Sequence, residues 1–152
     1  MSMSHLVYVS RVVAAPIERV WPHLRDFNGL SAWHPGVADS RLEEGGRDDA
    51  PGTVRFLSLN PSGYVRERLL MLDDAGRSLR YAIIETDLPM RDYVAGVDLC
   101  PVTEGGGTFA QWWADFDVVA GANRDEVARL VGEGVFAAGL QALDQYLRDR
   151  QG

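Results

Sequence analysis

The sequence predicts a single α+β domain over residues 1–152, in which an antiparallel β-sheet wraps over a long C-terminal helix. Three observations lead to this prediction: the length of 152 residues suits one domain, the strand-like segments are joined by short turns, and helix signals lie near the two ends. Because short links favour hairpins over crossover connections, the strands should pair antiparallel.

The N-terminal region combines one strand with two short helical segments. Residues 6–13 are rich in β-branched side chains and are typical of a strand. Pro16 opens a helix, since proline is favoured in the first helical turn. Apolar residues then follow at helical spacing, namely Ile17, Val20, Trp21 and Leu24. Residues 27–33 form a second short helical or turn segment that ends before Pro35.

Six further strands follow, and each of them is bounded by turn residues. We predict them at residues 37–42, 53–59, 64–72, 79–85, 93–102 and 108–118. The chain closes with a helix that begins after Asn123, a favourable N-cap, with Glu126 completing a capping-box pair. This helix extends to Arg148 and is far longer than the N-terminal helices.

The long helix has a broad apolar face opposite a polar face. At about 100° per residue, the polar side collects Glu126, Glu133, Gln141, Asp144 and Arg148. The centre of the apolar face holds Ala128, Gly132, Val135, Gly139 and Ala142, with Val131, Phe136, Leu140, Leu143 and Leu147 towards its edges. Each helical glycine costs roughly 1 kcal/mol relative to alanine. The small residues therefore indicate either close packing against the sheet, which periodicity alone favours, or a cavity that admits a ligand.

Composition excludes several classes of function. All 15 cationic residues are arginines, so the chain has no chemistry that needs a lysine amine. A formal net charge of -7 argues against nucleic-acid binding, which needs a basic face. Cys100 has no second cysteine to pair with, and the histidines lack metal-ligand spacing, so we expect neither a metal nor another cofactor. We find no membrane span and no signal peptide, which predicts a cytoplasmic protein.

Two charged residues lie on otherwise apolar strand faces. Alternation places Arg55 on the same face as Leu57 and Leu59, and Glu67 on the same face as Val65. A buried charge is costly unless it is paired or neutralised. Two interpretations stay open with equal weight: a structural ion pair between Arg55 and Glu67, or a cavity carboxylate at Glu67 that acts as a general acid or base or anchors a ligand.

Several sequence segments, taken in order, carry a family resemblance. They are APIERVW at 15–21, FNGLSAWHP at 27–35, GTVR at 52–55, ERLLMLDD at 67–74, Tyr81, Tyr93, and a Trp-x-Ala-x-Phe ending within 108–116. Together they resemble the START/Bet v 1-like (SRPBCC) superfamily over nearly the whole chain, especially its polyketide cyclase/dehydrase and lipid-transport branch. The Glu-Arg-Leu strand also resembles that of plant abscisic acid receptors.

This resemblance implies a helix-grip fold. Such a fold has a seven-stranded antiparallel sheet curved around the C-terminal helix, two short helices that close one end, and an apolar cavity between sheet and helix. The resemblance therefore reverses the preference for close packing on the helix face. By resemblance and strand alternation, the expected ligand-binding residues are Trp33, Leu57, Leu59, Val65, Tyr81, Tyr93, Trp112, Val131, Val135 and Gly139.

Two functions follow from the resemblance. The first is binding of a small hydrophobic or aromatic molecule in the cavity. The second is a metal-free cyclase, aromatase or dehydratase, in which His34 and Glu67 move protons while Arg55 or a tyrosine hydroxyl holds a developing oxyanion. His34 lies where the receptors carry a pocket lysine, and its alternative role is to cap a backbone carbonyl. A non-catalytic interaction module with a collapsed interior is a third class.

Two further features concern access and assembly. By resemblance, the loops at residues 60–63 and 86–92 gate the cavity. The receptor motifs of those loops are absent, which argues against signalling through a phosphatase partner. Trp113 should lie on the outer face of the sheet, either under loops or in a homodimer contact.

Overall fold

Seven strands form one antiparallel sheet in the computed structural model, which describes residues 4–150. The strands are β1 (Val7–Val13), β2 (Val37–Leu42), β3 (Val54–Leu59), β4 (Tyr64–Asp73), β5 (Ser78–Thr86), β6 (Met90–Pro101) and β7 (Thr108–Val118). Their spatial order is β1-β7-β6-β5-β4-β3-β2, so every neighbouring pair except β1 and β7 is also consecutive along the chain. The predicted sheet and its antiparallel pairing are confirmed.

Helical structure lies at both ends of the sheet-forming region. Helix α1 (Ile17–Arg25) begins after Pro16 and buries the predicted apolar positions. The second predicted helical segment is a single 3-10 turn, Leu30–Ala32. The C-terminal helix consists of α2 (Arg124–Arg129), a π-helical segment (Leu130–Ala137) and α3 (Ala138–Asp149). Its N-cap is as predicted, because the Glu126 backbone N–H donates to the Asn123 side chain at 3.0 Å.

The π-helical segment changes which face of the C-terminal helix is buried. An α-helix has 3.6 residues per turn, whereas a π-helix has a wider turn with i→i+5 hydrogen bonds. A uniform step of 100° therefore gives the wrong phase beyond this segment, and Asp144, assigned to the polar side, is 1% exposed. Besides Asp144, the bulky residues expected at the edges are almost fully buried, namely Val131, Phe136, Leu140, Leu143 and Leu147.

The core lies between the inner face of the sheet and the C-terminal helix. On β7, the inward residues alternate as predicted and are Ala110, Trp112, Ala114 and Phe116. Trp113 lies on the outer face, where its ring stacks on His5 at 4.1 Å and its Nε1–H donates to Asp98 at 3.0 Å. A homodimer contact there stays a prediction. Within residues 4–150, no helix is long and apolar enough to cross a membrane.

Candidate functional site

A cavity of about 270 Å³ lies between the sheet and the C-terminal helix. A cavity of roughly 150 Å³ is enough to hold benzene in a protein core, so this volume suits a molecule of about two fused rings. Its apolar lining residues are Leu30, Val37, Leu57, Leu59, Val65, Ile83, Leu88, Met90, Trp112, Leu130, Val131 and Val135. The predicted ligand-binding residues that line it are Leu57, Leu59, Val65, Tyr81, Tyr93, Trp112, Val131 and Val135.

The cavity opens between one loop and the π-helical segment. Its solvent-exposed lining residues include Asn60, Pro61 and Ser62 on one side, and Leu130 and Gly134 on the other. The loop between β3 and β4 is therefore positioned at the opening, and Leu88 of the second predicted gate loop also lines the cavity. Gating by these loops stays a prediction.

Apart from Asn60 and Ser62 at the opening, the polar side chains of the lining form what we call the polar wall: His34, Arg55, Glu67, Tyr81 and Tyr93. Arg55 contacts Glu67 and lies 5.1 Å from the centroid of the Tyr81 ring, which is 6.4 Å from that of Tyr93. Arg55 and Glu67 are the two lining residues with charged side chains. Within the described residues 4–150, no group of three or more His, Cys, Asp or Glu side chains could hold a metal ion.

Arg55 and Glu67 form a buried ion pair across neighbouring strands. They are register partners on β3 and β4, and they are 5% and 6% exposed. Arg55 Nε and Nη2 approach Glu67 Oε1 at 2.8 and 2.7 Å, while Nη1 donates to the Phe27 carbonyl at 3.0 Å. The guanidinium also lies over the Phe27 ring at 4.0 Å, a favourable cation–π distance.

The ion pair leaves one carboxylate oxygen uncommitted. Among residues 4–150, no group donates a hydrogen bond to Glu67 Oε2, although this side chain lines the cavity. The structural interpretation of the pair is thus correct for Oε1. The same carboxylate still presents an acceptor at the cavity wall.

His34 is held by the backbone on both sides of its ring. It follows the 3-10 turn, and its own N–H donates to the Leu30 carbonyl at 2.9 Å. Nδ1 accepts from the Gly36 N–H at 3.0 Å, so the proton is on Nε2, which donates to the Val135 carbonyl at 2.8 Å. Burial lowers the His34 pKa, and nearby Arg55 acts in the same direction against the hydrogen bond to Val135. The ring is therefore neutral near pH 7 and has the predicted capping role.

Because Gly139 has no side chain, the His34 ring can pack closely against the C-terminal helix. A Cβ atom at Gly139 would lie 2.7 Å from His34 Cδ2 and 3.0 Å from Trp112 Cζ3. Glycine is thus required at this position for close packing of the two rings. Gly139 lies behind His34 rather than on the cavity wall, so close packing explains this glycine, whereas Val135 on the same helix lines the cavity.

The two tyrosines extend the polar wall from β5 and β6. Both are buried, and the Trp112 Nε1–H donates to the Tyr81 hydroxyl oxygen at 3.0 Å. Tyr93 stacks on Phe116 with ring centroids 5.5 Å apart. Burial raises the pKa of both phenols above the ordinary value, so both are neutral at physiological pH.

Trp33 is the other predicted ligand-binding residue that does not line the cavity. It is buried and borders a separate void of about 20 Å³. Within the described part of the chain, its Nε1–H is the buried side-chain donor without a hydrogen-bond partner. Trp33 is next to His34 in the sequence, but its ring borders this separate void, whereas the His34 ring lines the cavity.

Several lining residues were not predicted from the sequence. Ile83 lies two residues after Tyr81 on β5, so strand alternation alone would have placed it at the cavity. Met90 and Leu88 come from the chain entering β6, where alternation gives no guide. The position of Leu130 at the cavity depends on the geometry of the π-helical segment, which uniform helical periodicity does not predict.

Comparisons with known proteins agree with this architecture. The sequence matches the family model described as polyketide cyclase / dehydrase and lipid transport over residues 4–148. Similar solved structures include XoxI from Bacillus cereus, which is 29% identical with a TM-score of 0.85 and coverage of 99% of both chains. An uncharacterized protein from Bacillus thuringiensis is 29% identical, with a TM-score of 0.83 and coverage of 96% of this chain and 100% of that chain.

A protein from Thermobifida fusca is 30% identical, with a TM-score of 0.81 and coverage of 95% of this chain and 94% of that chain. No curated protein matches the sequence significantly. The family model spans almost the whole chain, and the sheet and C-terminal helix form the helix-grip α+β arrangement of the SRPBCC superfamily. The protein therefore belongs to the polyketide cyclase/dehydrase and lipid transport family.

Proposed function

We propose that the protein binds a small hydrophobic or aromatic molecule in the cavity between the sheet and the C-terminal helix. The observation that carries this proposal is the cavity itself, with about 270 Å³ of space, mostly apolar walls and a few polar groups gathered together. Small-molecule sites in proteins have this composition. The family description includes both transport and enzymatic members, and it is compatible with such a ligand.

The test is to fill the cavity and compare a matched variant on the same strand. Ile83 lines the cavity, whereas its neighbour Ile84 faces outward and is 36% exposed. Two-ring aromatic compounds should raise the melting temperature of the wild type and of Ile84→Trp, but not of Ile83→Trp. A ligand at 100 times its Kd stabilises by about 2.7 kcal/mol, which is roughly 5–10 °C for a chain of this size.

Either of two results would contradict the proposal. One is the absence of any shift in the wild type across aromatic, sterol and fatty-acid compounds. The other is an equal shift in Ile83→Trp, because a ligand that tolerates the filled cavity binds elsewhere.

Catalysis by a metal-free cyclase or dehydratase is the second candidate function. The observation that favours it is Glu67 Oε2, an uncommitted carboxylate oxygen at an apolar cavity wall. Both ring nitrogens of His34 are engaged with the backbone, which makes His34 a positioning residue and leaves proton transfer to Glu67. Arg55, with its donors on Glu67 and Phe27, would hold this carboxylate in place.

A cyclisation or dehydration assay would test the second candidate. Glu67→Gln should lower turnover by roughly 10²-fold or more, because a general acid or base contributes that much. The surface variant Glu85→Gln is the matched control. Unchanged turnover in Glu67→Gln would remove the catalytic proposal and leave the binding proposal intact.

A further inference from the structure

We infer that the cavity selects a neutral ligand carrying a hydrogen-bond donor such as a hydroxyl group, which binds Glu67 Oε2, and that it rejects carboxylates. The inference rests on the proposed binding function and specifies the class of ligand. Two observations support it: which atoms at the polar wall already form hydrogen bonds, and the net charge of the lining residues.

Each group with a fixed donor at the polar wall already has a protein acceptor. Arg55 Nε donates to Glu67 Oε1, which Nη2 also approaches, and Nη1 donates to the Phe27 carbonyl. Trp112 Nε1–H donates to Tyr81, and His34 Nε2–H donates to a backbone carbonyl. The two tyrosine hydroxyls can still donate, but each of them can equally accept. Among the side-chain atoms of the polar wall, Glu67 Oε2 can only accept, and no group in residues 4–150 donates to it.

The charge balance of the lining disfavours an anionic ligand. Arg55 and Glu67 are the charged lining residues, and they neutralise each other. His34 is neutral because burial lowers its pKa, so it supplies no cation. The residues at the opening, including Asn60, Ser62 and Leu130, are uncharged as well. A ligand carboxylate would therefore lie beside Glu67 without a free cation, and it would lose hydration on entry.

A hydroxyl donor fits this wall for the opposite reason. A hydrogen bond from O–H to an ionised carboxylate is shorter and stronger than one between neutral groups. We expect it to tighten binding roughly tenfold or more relative to the same ring system without a donor.

The experiment measures the affinity of the full chain for four two-ring probes at about pH 7.5, where a carboxylic acid is ionised. The probes are naphthalene, 2-methoxynaphthalene with only an acceptor, 2-naphthol with a donor, and 2-naphthoate. By calorimetry, 2-naphthol should bind at least roughly tenfold more tightly than each of the other three. Equal affinity for 2-naphthol and 2-methoxynaphthalene, or for 2-naphthol and 2-naphthoate, would overturn the inference.

Variants then assign the preference to one atom. In Glu67→Gln, the advantage of 2-naphthol over 2-naphthoate should largely disappear, since the negative charge is gone. Glu85→Gln is the matched control: Glu85 is exposed on β5 outside the cavity, bonded to Tyr64 and Arg66, and this variant should keep the wild-type order of affinities. If Tyr93→Phe rather than Glu67→Gln removes the preference for 2-naphthol over the other probes, the tyrosine recognises the hydroxyl and the inference is wrong.

The outcomes separate this inference from the proposed function. Binding of naphthalene without a preference for 2-naphthol would overturn the inference and leave the binding function standing. No binding of any probe would overturn both. If Glu67→Gln fails to fold, the wild-type series and Tyr93→Phe still decide, because loss of the preference in Tyr93→Phe contradicts the assignment and its retention supports it.

Discussion

Two carboxylates among residues 4–150, Glu67 and Asp144, are almost fully buried, and they differ in how their oxygens are used. Asp144 Oδ2 accepts from Arg11 Nε and Nη2 at 3.1 and 3.0 Å, and Oδ1 accepts from the Ala14 N–H at 3.0 Å and from Arg148 at 3.3 Å. Glu67 has its partner on Oε1, while Oε2 accepts nothing from residues 4–150. Burial alone therefore does not distinguish a structural carboxylate from one that can serve a ligand, whereas the engagement of each oxygen does.

The two carboxylates also differ in the exposure of their arginine partners and in their position relative to the cavity. The arginine side chains that hold Asp144 are 39% and 54% exposed, so they keep contact with water, and Asp144 does not line the cavity between the sheet and the C-terminal helix. Arg55 is only 6% exposed at its side chain, and its carboxylate partner lines the cavity. Asp144, on α3, is bonded to Arg11 on β1 and to Ala14 just after it. Glu67, on β4, is paired with Arg55 on β3 and lines the cavity.

The largest expected effect comes from removing the cation of each pair. Arg55→Met should destabilise the fold by about 3–5 kcal/mol, because it leaves a buried carboxylate without its partner. Arg11→Met should cost only about 1 kcal/mol, since Asp144 keeps its hydrogen bonds from the Ala14 N–H and from Arg148. Urea unfolding of both variants measures this difference. Equal losses would contradict the distinction between the two sites.

A smaller effect is expected when the charge of Asp144 is removed. Asp144→Asn should lower the free energy of unfolding by about 1.5–3 kcal/mol, because it weakens hydrogen bonds from charged donors. The order of affinities for two-ring probes should not change, because Asp144 does not line the cavity. Urea unfolding gives the first quantity and calorimetry the second. A changed order of probes would show that the two sites are coupled.

The smallest effect concerns how the free energy of unfolding depends on pH, which should differ between His34 at the cavity and the Asp144 site. Burial lowers the His34 pKa, so the unfolded chain binds more protons as the pH falls through about 6.5, and stability falls with pH there. Burial also acts to raise the Asp144 pKa, but hydrogen bonds from Ala14, Arg148 and Arg11 outweigh it and hold the pKa below its ordinary value. The Asp144 site therefore loses stability only as the pH falls below about 3.8.

Urea unfolding of His34→Asn across these two ranges tests the separation. The loss of stability between about pH 6.5 and 5 should shrink in this variant, while the loss below about pH 4 should persist. His23→Asn is the comparison variant and should remove a separate part of the same loss, since burial and Arg150 lower the pKa of that second histidine as well. An unchanged slope in His34→Asn would show that this ring does not carry the effect.

Much of the site was predictable because strands have a simple period. Alternation over two residues, with short hairpin links, placed Arg55, Glu67, Leu57 and Trp112 on the inner face, and the structure has them there. A charge on an apolar strand face was itself a clear sign of an unusual environment. The ligand roles of these residues stay predictions.

The features that were missed depend on contacts between distant segments. A π-helical segment has no distinct local pattern in this sequence, so the burial of Asp144 and the exposure of Leu130 required the folded chain. Likewise, the hydrogen bond of His34 Nε2 depends on the Val135 carbonyl, 101 residues away. Periodicity shows which face a residue occupies, but not which of its atoms are already bonded.

The comparison of the two carboxylates can be tested most directly by carboxyl ¹³C NMR of the full chain during titration with 2-naphthol. The Glu67 carboxyl resonance should shift as the ligand binds, while the Asp144 carboxyl resonance should stay in place. Saturable binding that leaves the Glu67 resonance unchanged, or that shifts both resonances equally, would contradict this prediction.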